Sequence, residues 1–131
     1  MYGIYVRNYK DTKYADLIVK GLKTIETRNR NTLGKLNGQT VAIVRTGEKR
    51  PEIIGFVDMA GVWHCDAADF HKYDLRHFVS MGSRHNTTDK GKWMYELANA
   101  KELIRPIPLP KNTIRHGRSY CEFNTEELKG E

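Results

Sequence analysis

A chain of 131 residues is one domain's worth of sequence, and 39% hydrophobic residues suffice for a single core. No apolar run approaches the roughly 20 residues of a membrane-spanning helix, and the first residues lack the pattern of a signal peptide, so a cytoplasmic protein with no membrane partner is expected. Lysine and arginine outnumber aspartate and glutamate 22 to 16, a net charge of +6, which favours polyanionic partners, RNA or DNA first.

Tyr2 to Arg7 is predicted as the first strand. A helix is expected from about Thr12 to Lys20, with Asp11 as candidate N-cap and Tyr14, Leu17 and Ile18 as its apolar stripe. Gly21 stands where helices commonly end. Lys23 to Asn29 reads as a second strand and Asn31 to Gly38 as a polar loop. Thr40 to Thr46 is a β-branched run expected to be largely buried. Beyond the basic turn Gly47 to Pro51, Glu52 to Trp63 is a long β segment in which Gly55 and Gly61 suggest bends or bulges.

Asp66 to Val79 reads as a helix with Asp66 as N-cap and Phe70, Tyr73, Leu75 and Phe78 as apolar contacts. Met81 to Lys92 is a polar, basic loop. Trp93 to Leu97, Lys101 to Pro108 and Ser119 to Phe123 are predicted strands, and the acidic tail from Asn124 is expected to fray. Six or seven strands with two or three helices define one strand-rich α+β domain over residues 1–131. It is expected to close into a small barrel decorated by the helices, because closure removes exposed sheet edges. The mouth of a barrel also makes a good pocket.

Cys65 and Cys121 are far apart and neither belongs to a CxxC, so two free, buried thiols are expected in a reducing compartment. No cysteine and histidine spacing resembles a zinc site, so neither a metal nor another cofactor is expected.

The stretch with most chemistry is Gly21-Leu22-Lys23-Thr24-Ile25-Glu26-Thr27-Arg28. On a strand, side chains alternate between faces. Glu26 and Arg28 then lie side by side, while Lys23 sits at the strand entrance, where a turn can re-aim it. Lys23 can serve as a point charge for phosphate or, if burial lowers its pKa, as a nucleophile or general base. Glu26 is the candidate general acid or base, and Arg28 can hold it or grip an anion with its planar fork. The plainer alternative is a structural Glu–Arg pair with Lys23 solvated.

Elsewhere, Trp63 is a candidate for stacking on a base and His64 for shuttling protons, against the alternative of a core Trp with a satisfied His neighbour. His85 lies in the polar loop and is either a cover for a ligand or simply solvated. The basic residues form three sequence groups: Arg7, Arg28, Arg30, Arg45, Lys49 and Arg50; then Arg84, Lys90 and Lys92; then Arg115, His116 and Arg118. Tyr120, after the Arg118-Ser119 turn, is a further candidate for stacking on a base.

The octapeptide resembles the GxKxxExR motif of the ASCH domain family, within the PUA-like superfamily. The preceding segment Tyr14 to Lys20 is similar to the helix that comes before that motif. Lys92 to Asn99, followed by Pro106-Ile107-Pro108, is similar to the family's C-terminal "W-x-L-x-N … P-I-P" stretch, and His116 to Tyr120 occupies the place of its late glycine turn.

The resemblance implies a PUA-like β-barrel whose cleft, centred on Lys23, Glu26 and Arg28, binds RNA or a modified nucleotide. Arg30, Trp63, His64, Arg118, Ser119 and Tyr120 are the candidates to line it. It also implies three alternatives: metal-independent ribonuclease action, hydrolysis of N4-acetylcytidine-type nucleosides, or regulatory RNA binding without catalysis. In the amidohydrolase branch a threonine lies three residues after the lysine, where this chain has Glu26. That branch also uses a later carboxylate, for which Asp66 and Asp69 are the candidates.

Overall fold

The computed structural model describes residues 1–128. Its strands are β1 (Tyr2–Arg7), β2 (Ile25–Arg28), β3 (Thr40–Thr46), β4 (Glu52–Cys65), β5 (Lys92–Pro108), β6 (Ile114–His116) and β7 (Tyr120–Glu122). Two short helices are α1 (Tyr14–Val19) and α2 (Asp74–His77), and single 3₁₀ segments cover Gly34–Leu36, Ala67–Tyr73 and Thr125–Glu127. No described helix is long and apolar enough to cross a membrane.

All seven strands belong to one sheet in the order β2-β5-β4-β3-β1-β7-β6. Only β1 and β3 run parallel, with Ile4 opposite Ile43. β1 and β3 are buried on both faces. Ile4, Val6, Val41 and Ile43 join the larger core with α1, while Tyr5, Ala42, Val44 and Ile53 join a smaller one with Ile107 and Phe123. That two-sided burial is why the β3 sequence reads as an unbroken apolar run rather than an alternation.

The expected closure into a barrel is not made by the strand pairing. The ladder ends at β2 and β6, and no backbone pairing joins β2 to β1. The Arg28 side chain crosses that gap instead, its Nη2 donating to the Tyr5 carbonyl at 2.7 Å. The sheet therefore curls far enough for β2 to come within one side chain of β1, leaving an open seam between them.

Several sequence expectations are corrected. The helix predicted over Asp66 to Val79 is a 3₁₀ segment followed by one turn of α-helix. Its apolar residues do not keep helical spacing, and Leu75 is 89% exposed. Asp66 makes no side-chain cap, and Phe78 adopts a left-handed conformation that ends α2. Trp93–Leu97 and Lys101–Pro108 are parts of one strand, bent where Asn99 takes φ 52°. β6 was missed because it is three residues long and mostly exposed. The polar loop before β3 buries Leu33 and Leu36 completely.

α1 begins at Tyr14 without Asp11 as cap. Asn8 takes that task, its Oδ1 accepting the Ala15 N–H at 2.9 Å. The start of the acidic tail is held by a capped turn, in which the Asn124 side chain accepts from the Glu126 N–H. The remainder of that expectation, residues 129–131, lies outside the described residues. Cys65 and Cys121 are free and buried.

Candidate functional site

The site begins with the end of a helix. Gly21 takes φ +76°, so the chain reverses as glycine permits. The N–H groups of Leu22 and Lys23 then both donate to the Leu17 carbonyl at 3.0 Å. This cap turns Lys23 inward before β2 starts at Ile25. Its side chain is 1% exposed.

The Lys23 ammonium donates to the carbonyls of Ile25 at 2.8 Å and His77 at 2.5 Å. It also lies 3.5 Å from Glu26 Oε1 and 5.1 Å from the centre of the Tyr14 ring. His77 is the last residue of α2, so Lys23 satisfies a carbonyl that a helix C-terminus leaves open. Of its three donors, two are hydrogen-bonded to carbonyls, and the charge is paired with Glu26.

Glu26 is equally engaged. Arg28 gives it two hydrogen bonds, from Nε at 3.0 Å and Nη2 at 2.9 Å, both to Oε2, while Oε1 faces Lys23. Burial alone would raise the Glu26 pKa, but the charges of Arg28 and Lys23 outweigh it and hold the carboxyl below its ordinary range. The carboxylate is thus ionised at neutral pH and can only accept. For Lys23, burial brings the pKa down to about 8, with Glu26 opposing the fall.

These groups form one wall of a cleft of about 600 Å³ at the seam between β1 and β2. The three basic groups of the sequence converge here: Arg7 and Arg28 from the first, Lys92 from the second, Arg115 and Arg118 from the third. Tyr9, Tyr14 and His85 supply aromatic surface.

Lys92 is the residue the sequence reading undervalued. The residue is mostly buried, yet among the described residues its ammonium makes no hydrogen bond or ion pair and stays accessible at the cleft. Burial lowers its pKa, with Glu26 opposing. A signal was present: on a strand Lys92 shares a face with Met94, which is core. The approach is tight as well. Gly91 takes φ +74°, and a Cβ there would lie 2.3 Å from the Cys65 carbonyl oxygen. In the sequence, Tyr14 stands only as part of a helix stripe and His77 only as part of a longer predicted helix.

Other candidates lie elsewhere. Trp63 packs edge-on against Tyr73, and His64 approaches the Lys90 carbonyl through Nε2 at 3.0 Å. Both are on β4, which β3 separates from β1, so neither lines the cleft. Tyr120 is buried and stacks on His116 at 4.6 Å, so its ring is not free for a base. Ser119 contributes a carbonyl to the Tyr5 N–H at 3.0 Å, and Arg30 is exposed beyond the end of β2. Arg118 alone of that group reaches the cleft. Asp66 is 82% exposed in its side chain and Asp69 pairs with Lys72, and neither lines the cleft.

Beneath the site, ligand atoms of His71, Asp74 and His77 lie within 4.8 Å of one another. Hydrogen bonding accounts for the arrangement. His77 Nδ1 accepts the Val79 N–H at 2.9 Å, so Nε2 carries the hydrogen given to the Phe70 carbonyl at 2.9 Å. His71 Nδ1 meets Asp74 Oδ1 at 2.6 Å. A metal on His77 Nε2 would require the opposite tautomer. The cluster as built holds α2, and with it the carbonyl that receives Lys23.

The sequence matches no family model, and no curated protein matches it. Solved structures do. The crystal structure of ASCH from Zymomonas mobilis superposes with a TM-score of 0.73 at 22% identity, covering 95% of this chain and 90% of that one. Crystal structures of a serine-to-alanine and a tyrosine-to-phenylalanine variant of that protein match with TM-scores of 0.72 and 0.71, at 22% and 23% identity. They cover 95% of this chain, and 90% and 92% of theirs. The chain has the fold of the ASCH domain.

Proposed function

We propose that the seam cleft binds a nucleotide unit of RNA, or a modified nucleotide, with its phosphate on Lys92 and the arginine rim and its base against the aromatic wall. One observation carries this reading: Lys92 has a buried stem, and its ammonium, with no hydrogen bond or ion pair among the described residues, opens on a cleft edged by Arg7, Arg115 and Arg118 and walled by aromatic rings. An ammonium held at a cleft wall with no hydrogen-bonded protein partner is available to an anionic ligand, which can accept a charge-assisted hydrogen bond from it. The Lys23–Glu26–Arg28 trio then shapes the wall and sets the width of the seam.

The test is calorimetric titration with a 5′-mononucleotide and a short single-stranded RNA at several salt concentrations. Affinity is expected to fall linearly with salt on a log–log scale, with a slope of roughly 0.7 per neutralised phosphate. No binding at low salt rejects the proposal.

A hydrolytic version has one specific support. Burial lowers the Lys92 pKa, which moves this amine toward the neutral form that abstracts a proton or attacks an acyl carbon. Lys23 and Glu26 suit those tasks less, because the ammonium is tied to two carbonyls and to Glu26, and both carboxylate oxygens are already engaged. The amidohydrolase form also lacks its later carboxylate, since neither Asp66 nor Asp69 lines the cleft. Incubation with RNA and with N4-acetylcytidine, without added metal and read by mass spectrometry, tests turnover. Products formed by the native protein and lost in Lys92→Met support hydrolysis, and unchanged ligands support a binding module.

A further inference from the structure

The seam cleft does not end at its aromatic wall. A second cavity of about 440 Å³ lies behind it, lined by Asp11, Thr12, Phe78, Ser80, Ser83 and Arg84. The two cavities share Tyr9, Tyr14 and His85. These three rings touch one another: His85 lies 4.7 Å from Tyr9 and 5.8 Å from Tyr14, and the two tyrosines are 6.0 Å apart. They form a partition one ring thick.

Each side of the partition has a cation on the same ring. The guanidinium of Arg7, which lines the first cavity, is 5.4 Å from the centre of the Tyr9 ring. That of Arg84, which lines the second, is 4.4 Å from it. His85 adds an independent sign of a missing ligand. Its Nε2 is buried and has no hydrogen-bond partner among the described residues. Burial, then the charges of Arg84 and Lys92, lower its pKa. The ring is therefore neutral, with polar capacity unused at the junction.

We infer that the second cavity is a subsite for the adjoining nucleotide, so that the ligand is a single-stranded oligonucleotide of at least two units rather than a free nucleoside. This rests on the proposed function and narrows its substrate class. The phosphodiester passes the partition between Arg7 and Arg84. The second base enters a space with one cation but several hydroxyls and a carboxylate, which suits a base edge and sugar better than another phosphate. The partition rings give both bases an aromatic surface.

The experiment compares uridine 5′-monophosphate with the dinucleotide pUpU by calorimetry. At least about tenfold tighter binding of the dinucleotide is expected from one added stacked base. Gly82 also lines the second cavity, and Gly82→Trp should remove that gain by filling it. A Cβ at Gly82 meets nothing within 4 Å, so the variant is expected to fold and to keep its mononucleotide affinity, which itself reports an intact first cavity. Arg84→Ala should remove part of the gain. Equal affinities for the two ligands, or a gain that survives Gly82→Trp, overturn the inference while leaving the proposed function standing. Failure of both ligands to bind overturns both.

Discussion

Two buried lysines flank the same carboxylate, and they are opposites. Lys23 has its ammonium on two carbonyls and beside Glu26. Lys92 is mostly buried, but its ammonium has no hydrogen-bond partner among the described residues and opens on the cleft. A buried charge that is fully hydrogen-bonded braces the fold, because removing it strands everything it satisfied. A charge on a buried stem whose ammonium is accessible and makes no hydrogen bond is free to meet a ligand at the cavity wall. The motif lysine is thus tied into the fold, while the lysine outside the motif presents a free ammonium to the cleft.

The largest expected effect breaks the bracing side. Lys23→Ala leaves the Ile25 and His77 carbonyls and Glu26 without their cation, a loss of about 3–5 kcal/mol in denaturant unfolding. If Lys23→Ala unfolds at the native midpoint, Lys23 is not the brace.

Next comes the ligand side. Lys92→Met keeps much of the stem volume and removes an ammonium that makes no hydrogen bond within the protein, so stability should change little. Nucleotide affinity should fall by about 2 kcal/mol, roughly thirtyfold, as expected for a charge-assisted hydrogen bond. A variant that binds normally would place the anion elsewhere.

A smaller effect sharpens the role of Glu26. Its folded-state pKa lies below the unfolded 4.5, so its contribution is present above about pH 4.5 and is lost as pH falls through the lower folded value. Each unit of depression is worth about 1.4 kcal/mol. Acid unfolding of Glu26→Gln should lack this segment of the pH dependence while starting from lower stability at neutral pH. Parallel acid limbs in the two proteins would contradict the ion triad.

The last effect is a titration. Carbon-13 NMR of the lysine ε-carbons should show the Lys23 resonance titrating near pH 8. The unfolded chain keeps this proton up to about 10.5. The contribution of Lys23 is then constant with pH below about 8, and stability rises with pH between the two values, as long as the unfolded state binds more protons. A Lys23 midpoint above 10 would mean that its burial carries no such penalty.

Much of the fold was legible because local rules determine it. β1, β3 and the start of β4 follow from β-branched and apolar runs, and Gly21 ends α1 as its freedom at positive φ suggests. Glu26 beside Arg28 follows from strand alternation alone. The region from Asp66 to Val79 was not legible, because its apolar residues fit no single period and a left-handed Phe78 cuts the helix short. Trp63, His64 and Tyr120 were candidates on residue type, but the ladder order and core packing decide that they face other surfaces. The converse holds for His85 and Arg118, whose loops bring them to the seam from distant parts of the chain.

By itself, the sequence determined the strand content, the helix cap that precedes the motif, and the Glu26–Arg28 pair, since each depends on neighbours a few residues away. Only the tertiary structure decided that the sheet stays open between β1 and β2, with a guanidinium where a backbone ladder would close it. It also decided which lysine is satisfied and which is free. That distinction depends on whether a carbonyl from another element, the His77 end of α2, arrives within reach of the ammonium. No local pattern encodes that meeting, because it is set by the curl of the whole sheet.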